Sequence, residues 1–422
     1  MSHVQRRSRG FDRRDFLSLV AGGAMTMGLP ARLALAAPVL RQQQKRCVVL
    51  WMAGGPSHLE TLDPKEAVAG AVGSASIATA VPGIHLSENL PELAKVMDEV
   101  AIVRSLTSRE GSHPRAQHLM QHGYLPMGGV KFPALGANVC DQLQAAAGAL
   151  PGYVRIGGGR VYNGGAGMLG VEYAPLGVRD PSRPPDNTTA MVSGDRREQR
   201  LALLDLIQAN FGAAEGADRV AERRQLVNAA EAMIQSPGME AFDLAQESSA
   251  ARQAYGEGRF AEGCLLARRL LEAGVTFVEV VQNGWDSHQD NHKQVAAQCA
   301  QVDRPASQLL RDLRERGMLD STLVVWLGEF GRTPKINARG GRDHYPKAFS
   351  AWLAGCGVRG GQVIGATDEQ GAQVIEQPVS PKDLHQTIYA ALGIDADYEN
   401  TSSTGRPIRL VDEGTPIEGL LG

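Results

Sequence analysis

The chain has 422 residues, of which 43% are hydrophobic and 21% charged, a globular composition that can bury a sizeable core. Its net charge of −3 excludes a general nucleic-acid-binding protein, because there is no basic excess to neutralise phosphates. We therefore expect no nucleic-acid partner.

Residues 1–36 have the pattern of an export signal. The twin Arg13-Arg14 is followed by Phe16-Leu17, a short apolar segment and a small-residue cleavage site. This order resembles a twin-arginine signal, which implies the twin-arginine translocase as a partner during export and a periplasmic, extracellular or cell-surface location. The alternative is an ordinary amphipathic N-terminus. No later run reaches the ~18 apolar residues of a membrane span, so we expect none in the mature chain.

Apolar runs and helical periodicity alternate along the rest of the chain. Strands are predicted at 47–53, 99–106, 152–157, 275–282, 321–328 and 349–355. Helices are predicted at 196–212, 217–235, 259–273, 289–316 and 381–392. Because several strands are continuously apolar, the pattern indicates an α/β fold, a three-layer α/β/α sandwich with a mostly parallel central sheet. We expect one domain over 37–422 with a helical insertion around 190–273.

The first polar cluster follows the first strand. Ser57, His58 and Asp63 follow Gly54-Gly55-Pro56 at the end of this strand, where an open α/β sheet usually builds a site. We interpret Ser57 and His58 as substrate-binding residues. The alternative is a turn in which the serine caps a short helix.

The second cluster, Ser112, His113 and Arg115, lies at a strand-to-helix junction. The helix N-terminus favours anions, a histidine can act as base, and an arginine can grip an oxyanion with two donors. We predict a catalytic role for all three, although Ser112 also suits a helix cap. His118 and His122 have the i, i+4 spacing of metal ligands, but we favour a helix surface for that pair.

The third cluster follows the predicted strand at 275–282. Asp286 and His288 combine carboxylate and imidazole just past a buried strand, which is a standard set of metal ligands. The alternative is that Asp286 caps the next helix.

The fourth cluster follows the strand at 321–328. Glu329, Arg332, Asp343 and His344 would surround one anion or one metal ion. The alternative is a loop held by a Glu329–Arg332 salt bridge. Because the third cluster supplies the same ligand types from another strand end, we favour a functional site over a salt-bridged loop.

These stretches resemble a family of exported bacterial proteins of unknown function that is related to sulfatases and alkaline phosphatases. The resemblance covers nearly the whole chain and includes GGPSHLETLDPK, GWDSHQDN, LGEFGRTP, GRDHYP and KDLHQTIYAALGI. It implies an alkaline-phosphatase-like fold. By position it also implies that Ser112 is the nucleophile, with His113 a rival for that role, and that Glu329 and His344 are metal ligands.

Three residues depart from the superfamily pattern. Gly54 and Gly55 stand where two metal-binding aspartates are expected, and Phe330 stands where a second ligand is expected. These departures imply an incomplete metal site next to the nucleophile.

Two hypotheses follow. The first is an exported, metal-dependent hydrolase of phosphate or sulfate esters that acts on a small-molecule or glycan ester. In it Ser112 or an ion-bound water attacks, and Arg115 or Arg332 holds the nonbridging oxygens. One or two divalent ions, zinc, calcium or manganese, would be held by Asp286, His288, Glu329, Asp343 and His344. The second hypothesis is a catalytically inactive binding or assembly protein on the same fold, with a structural metal or glycan site.

Overall fold

The fold is built on a central β-sheet with helices on both faces. The computed structural model describes residues 44–65, 74–143, 150–158, 165–186, 188, 194–215, 217–402 and 404–422. The predicted signal peptide, 1–36, lies outside the described residues.

The described strands are Arg46–Ala53 (β1), Ser76–Ala78 (β2), His85–Ser87 (β3), Val100–Leu106 (β4), Tyr153–Ile156 (β5), Leu176–Val178 (β6), Phe277–Asn283 (β7), Thr322–Leu327 (β8), Gly331–Arg332 (β9), His344–Tyr345 (β10), Phe349–Ala354 (β11), Gln362–Ile364 (β12), Ala366–Thr367 (β13), Val374–Glu376 (β14), Glu399–Thr401 (β15) and Pro407–Arg409 (β16). The described α-helices are Pro91–Lys95 (α1), His113–His122 (α2), Leu135–Gln142 (α3), Asp195–Glu215 (α4), Ala217–Gln235 (α5), Ser249–Tyr255 (α6), Arg259–Glu272 (α7), Asn291–Glu315 (α8) and Pro381–Leu392 (α9).

Eight strands form the large sheet, in the order β12-β4-β11-β8-β1-β7-β5-β6. Within this described sheet, β11 alone runs antiparallel to its neighbours β4 and β8. All other neighbouring pairs are parallel. The carboxyl ends of β4, β8, β1 and β7 therefore open at one edge of the sheet, which is where open α/β sheets bind ligands.

Both faces of the sheet are buried, which explains the continuous apolar runs. In β1, Val48, Leu50 and Met52 point to a core shared with α1, α7 and α8. The alternating residues Cys47, Val49 and Trp51 point to a second core shared with α3 and α9. The predicted three-layer α/β/α sandwich with a mostly parallel sheet is confirmed.

The six predicted strands correspond to β1, β4, β5, β7, β8 and β11. The sequence pattern misses β6 and β12, since an edge strand of three residues gives too little periodicity to detect. All five predicted helices are present within a few residues.

The predicted insertion at 190–273 contains helices of two kinds. The α4 and α5 helices pack on each other. By contrast, α7 belongs to the helical layer, because Gly263 lies so close to β7 that a Cβ there would be 2.8 Å from Val280 Cγ1. The boundaries of an insertion stay a prediction.

In the part of the chain that the structure describes, no helix is both long enough and apolar enough to cross a membrane.

Candidate metal centre

Four histidine and carboxylate segments meet at the carboxyl edge of the sheet. His113 begins α2, just after β4, and Asp286 and His288 follow β7. Glu329 follows β8, and His344 lies in the short β10, which pairs with β9. Ligating atoms of His113, Asp286 and His344 lie within 4.8 Å of one another, close enough to hold one metal ion.

The His113 imidazole bridges two carboxylates. Its Nδ1 lies 2.7 Å from Glu329 Oε1, and its Nε2 lies 3.3 Å from Asp286 Oδ2. Burial opposes the charged ring, but the hydrogen bonds and charges of Asp286 and Glu329 outweigh it and raise the pKa of His113 to about 9. The Nε2 atom is buried, and its contact with Asp286 Oδ2, at 3.3 Å, is longer than a well-formed hydrogen bond.

His344 and His288 approach the same carboxylate. His344 Nε2 and His288 Nε2 each lie 3.2 Å from Asp286 Oδ1 and 3.0 Å from each other. Their Nδ1 atoms are held from behind: that of His344 donates to the Gly111 carbonyl at 2.8 Å, and that of His288 to Asp343 Oδ1 at 3.0 Å.

Each of the three imidazoles thus has the same arrangement. A carboxylate or carbonyl accepts from Nδ1, so that Nε2 faces the centre. This is the orientation that metal-ligating histidines adopt in proteins. A metal ion bound at the centre would displace the Nε2 proton of His113 and take the lone pair. Glu329 and Asp343, predicted as ligands, contact the far side of His113 and His288, and their direct ligation stays a prediction.

Asp286 is the acceptor on which the cluster converges. Burial raises its pKa, but hydrogen bonds from His113, His344 and Arg332 hold it well below the usual range of a carboxyl group. Arg332 Nη2 lies 2.5 Å from Asp286 Oδ1. The carboxylate is therefore ionised at neutral pH.

Arg332 is fully buried and its donors face protein groups. Nε donates to the Gly55 carbonyl at 2.9 Å, Nη1 to the Arg342 carbonyl at 3.1 Å, and Nη2 to the Gly54 carbonyl as well as to Asp286. Its predicted hold on substrate oxygens stays a prediction, since the observed contacts place it behind Asp286.

Gly54 must be a glycine for steric reasons. Its φ is +120°, and a Cβ there would lie 2.5 Å from the Asp286 backbone nitrogen. Its own N–H donates to Glu329 Oε1 at 3.0 Å. Where the superfamily resemblance expects an aspartate, this chain instead uses the backbone to fix Glu329 and Arg332.

Phe330 forms a wall of the centre. It is fully buried, with its ring centroid 4.9 Å from that of His113 and 4.5 Å from that of His344. The ring therefore limits how far either imidazole can rotate.

Ser112 is exposed. It lies in the chain between Gly111, whose carbonyl accepts from His344, and the candidate ligand His113. Ser112 occupies the N-cap position of α2 but makes no side-chain capping hydrogen bond. Arg115 is half-exposed and forms a two-pronged pair with Glu110, at 2.7 and 2.9 Å. The catalytic roles of Ser112, His113 and Arg115 stay predictions.

Ser57 and His58 are fully buried beneath this edge. His58 Nε2 donates to the Gly371 carbonyl at 2.9 Å, and burial lowers the pKa of this imidazole. Asp63 accepts from Thr367 at 2.5 Å and pairs with Lys65 at 3.0 Å. A substrate-binding role for Ser57 and His58 stays a prediction.

The interpretation of His118 and His122 as a helix surface is wrong. Both rings are buried, and they stack with centroids 4.2 Å apart. His118 Nδ1 also donates to the Tyr124 carbonyl at 2.8 Å.

Sequence reasoning also missed Gln117. Its Nε2 donates to Glu329 Oε1 at 3.0 Å, beside the contact from His113. The signal was available, because residues four apart on a helix share a face.

The chain can now be placed among known proteins. A family described as "Protein of unknown function (DUF1501)" matches residues 44–421. The chain belongs to this family. The predicted membership is thereby confirmed, and no curated protein matches the chain.

Solved structures similar to the chain include sulfatases and members of the alkaline phosphatase superfamily. The PsFucS1 sulfatase from Pseudoalteromonas sp. is 15% identical, with 86% of this chain and 70% of that one covered and a TM-score of 0.40. The lipoteichoic acid synthase LtaP from Listeria monocytogenes is 9% identical, with 88% of this chain and 75% of that one covered and a TM-score of 0.39. An alkaline phosphatase superfamily protein from Vibrio parahaemolyticus is 11% identical, with 84% and 67% covered and a TM-score of 0.34.

Proposed function

We propose that this protein is an exported zinc-dependent hydrolase of phosphate or sulfate esters. One observation carries the proposal: three imidazole Nε2 atoms converge on the Asp286 carboxylate, while each Nδ1 is held by a carboxylate or a carbonyl.

The donor set fits a divalent ion of the zinc type. His113, His288, His344 and Asp286 offer three nitrogens and one carboxylate, whereas calcium prefers six to eight oxygens. The buried Nε2 of His113 meets Asp286 Oδ2 only at 3.3 Å, and a metal ion would satisfy it better. Zinc is therefore favoured over calcium, with manganese next.

The surrounding charges also suit a dication. Asp286, Glu329 and Asp343 carry three negative charges within this cluster, and Arg332 supplies one positive charge against Asp286. Once His113 has lost its proton to act as a ligand, one divalent ion would bring the sum to zero, which offsets the cost of holding three carboxylates together.

A zinc ion bound here would polarise the ester and stabilise the negative charge that develops on its oxygens. Ser112 is the nucleophile that we favour, because the residue is exposed, precedes His113 in the chain and makes no side-chain capping hydrogen bond. Attack by Ser112 Oγ on phosphorus or sulfur would form a serine phosphate or sulfate ester and break the bond to the alcohol oxygen, which would take up the proton that the serine hydroxyl loses. Water would then release phosphate or sulfate.

The substrate would be a small-molecule or glycan ester met outside the cytoplasm. The predicted twin-arginine signal supports this location, since that route exports proteins already folded around a cofactor. The mature protein would then lie in the periplasm or at the cell surface.

Elemental analysis tests the centre directly. We expect near-stoichiometric zinc in the purified chain and its loss in the His288→Ala, His344→Ala double variant. His85→Ala is the matched control, because His85 is exposed on β3, outside the cluster. A wild-type chain that binds no zinc, manganese or calcium after these are supplied would refute the proposal.

Turnover of a panel of aryl phosphate and aryl sulfate esters tests the chemistry. We expect Ser112→Ala to abolish turnover while the chain keeps its zinc. If zinc is bound but no ester is hydrolysed, the alternative of an inactive binding or assembly protein with a structural metal is favoured.

A further inference from the structure

We propose that Arg342, anchored by Glu60, is a positioning residue that fixes the segment carrying His344 at the metal centre. The inference rests on the proposed function, because it concerns the geometry with which the same centre binds zinc.

Arg342 and Glu60 form a fully buried pair between distant parts of the chain. Arg342 Nε and Nη2 lie 3.0 and 2.6 Å from Glu60 Oε1. Arg342 Nη1 donates to the Thr333 carbonyl at 2.8 Å and to the Pro334 carbonyl. The side chain therefore joins the loop after β1 to the loop after β9.

The backbone of Arg342 adds a third and a fourth connection. Its N–H donates to the Ser287 carbonyl at 3.0 Å, between the candidate ligands Asp286 and His288. Its carbonyl accepts from Arg332 Nη1 at 3.1 Å, and Arg332 in turn donates to Asp286.

Arg342 thus connects the loops that follow β1, β7 and β9, and it immediately precedes Asp343 and His344. The loop it fixes is long, since β9 and β10 are separated by residues 333–343. A metal centre needs its ligands held to roughly half an ångström. The geometry points to Arg342 as the group that supplies this precision for His344.

The chemistry explains why arginine is needed. A planar guanidinium reaches one carboxylate with two donors and two carbonyls with a third nitrogen, whereas a lysine ammonium is a single point on a flexible stem. A lysine here would keep the charge but lose the fork that fixes the loop.

Zinc affinity of the full mature chain tests the inference, with Arg342→Lys as the main variant. We expect the zinc Kd to rise by about tenfold or more, the range found when groups that orient metal ligands are removed. Cobalt(II) in place of zinc gives a second readout, because its visible absorption bands report ligand geometry and should change in the variant.

Arg268→Lys is the matched control. Arg268 is equally buried, pairs with Glu247 at 2.6 Å and Glu272 at 2.8 Å, and lies on α7 outside the centre. The Arg268→Lys variant should be less stable in urea than wild type, but its zinc Kd and its cobalt absorption bands should be unchanged. Glu60→Gln is a milder second variant in case Arg342→Lys does not fold, and it should shift the zinc Kd in the same direction.

The outcomes separate the two proposals. If wild type binds neither zinc nor cobalt, the proposed function fails and this inference fails with it. If wild type binds zinc and the Arg342 and Glu60 variants match it within twofold, the positioning role alone is refuted. An equal loss of affinity in Arg268→Lys would also refute it, because general destabilisation would then explain the result.

Discussion

Replacing Glu329 by glutamine tests whether the outer carboxylates tune the candidate centre. Glu329 is fully buried and accepts from His113 Nδ1 at 2.7 Å, from the Gly54 N–H and from Gln117. Glutamine keeps the shape and one acceptor oxygen, so the change removes the charge behind His113 while the packing is retained.

The magnitude follows from the strength of that contact. A hydrogen bond to a charged group contributes about 1.5–3 kcal/mol and a neutral one about 0.5–1.5 kcal/mol. The substitution should therefore weaken zinc binding by about 1–1.5 kcal/mol, or about tenfold in Kd.

Asp343 gives a graded comparison within the same centre. It orients His288 as Glu329 orients His113, but its side chain is 56% exposed. Exposed ion pairs contribute about 0.2–1 kcal/mol. We therefore expect Asp343→Asn to raise the zinc Kd by no more than about fivefold.

Competition for zinc against a chromophoric chelator at neutral pH measures both variants. Thermal melting of the zinc-free chains checks that they fold alike. An Asp343→Asn effect equal to or larger than that of Glu329→Gln would refute the reasoning, as would unchanged Kd values in both.

Three further predictions concern other parts of the chain. Gly54→Ala should abolish zinc binding, because its Cβ would meet the Asp286 backbone at 2.5 Å; elemental analysis measures this. His385→Gln should flatten the acid dependence of urea unfolding. Burial lowers the pKa of His385 from the ordinary 6.5 to about 4. Between these two pH values the unfolded chain binds more protons than the folded chain. The free energy of unfolding should therefore fall by about 3 kcal/mol as the pH drops across this range. Arg13→Lys with Arg14→Lys should block export, measured by cell fractionation and the mass of the product.

Each of these predictions has a control in the same chain. Gly83 also has a positive φ, of +83°, but open space around it, so Gly83→Ala should leave zinc binding intact. His85 is exposed, and His85→Gln should leave the pH dependence of unfolding as steep as in wild type. Replacing Arg6 and Arg7 by lysine should leave export intact. If a control substitution has as large an effect as the substitution it is compared with, the corresponding prediction is wrong.

The strands that carry the site are predictable from sequence because they are buried on both faces. A run such as Cys47 to Ala53 can be apolar throughout only if helices cover both sides of the sheet. Such runs also mark their own ends, so the polar residues after β4, β7 and β8 can be assigned to one edge. This reasoning brings Asp286, His288 and His344 together before any coordinates are known, whereas it assigns His113 to catalysis, and the structure shows its ring beside the same carboxylate.

The different roles of the three carboxylates in the cluster are not predictable from sequence. Asp286, Glu329 and Asp343 are all carboxylates just past a strand or in a glycine-rich loop, and sequence treats them alike. What separates them is whether the carboxylate meets the Nε2 or the Nδ1 side of an imidazole, and that depends on how the loops pack. The buried positions of His118 and His122 escape sequence reasoning for the same reason.

The glycines after β1 lead to a last prediction, on the number of ions. The superfamily resemblance places Gly54 and Gly55 at the positions of two metal-binding aspartates. In the structure, their carbonyls instead accept from the Arg332 guanidinium, which also donates to Asp286. A fixed positive charge thus lies beside Asp286, and neither glycine has space for a carboxylate, since a Cβ at Gly55 would lie 2.6 Å from the Phe330 ring. We therefore expect one zinc per chain, even with zinc in excess. Native mass spectrometry of the loaded protein measures the number, and a second ion that survives buffer exchange would show that this edge holds a second site in spite of Arg332.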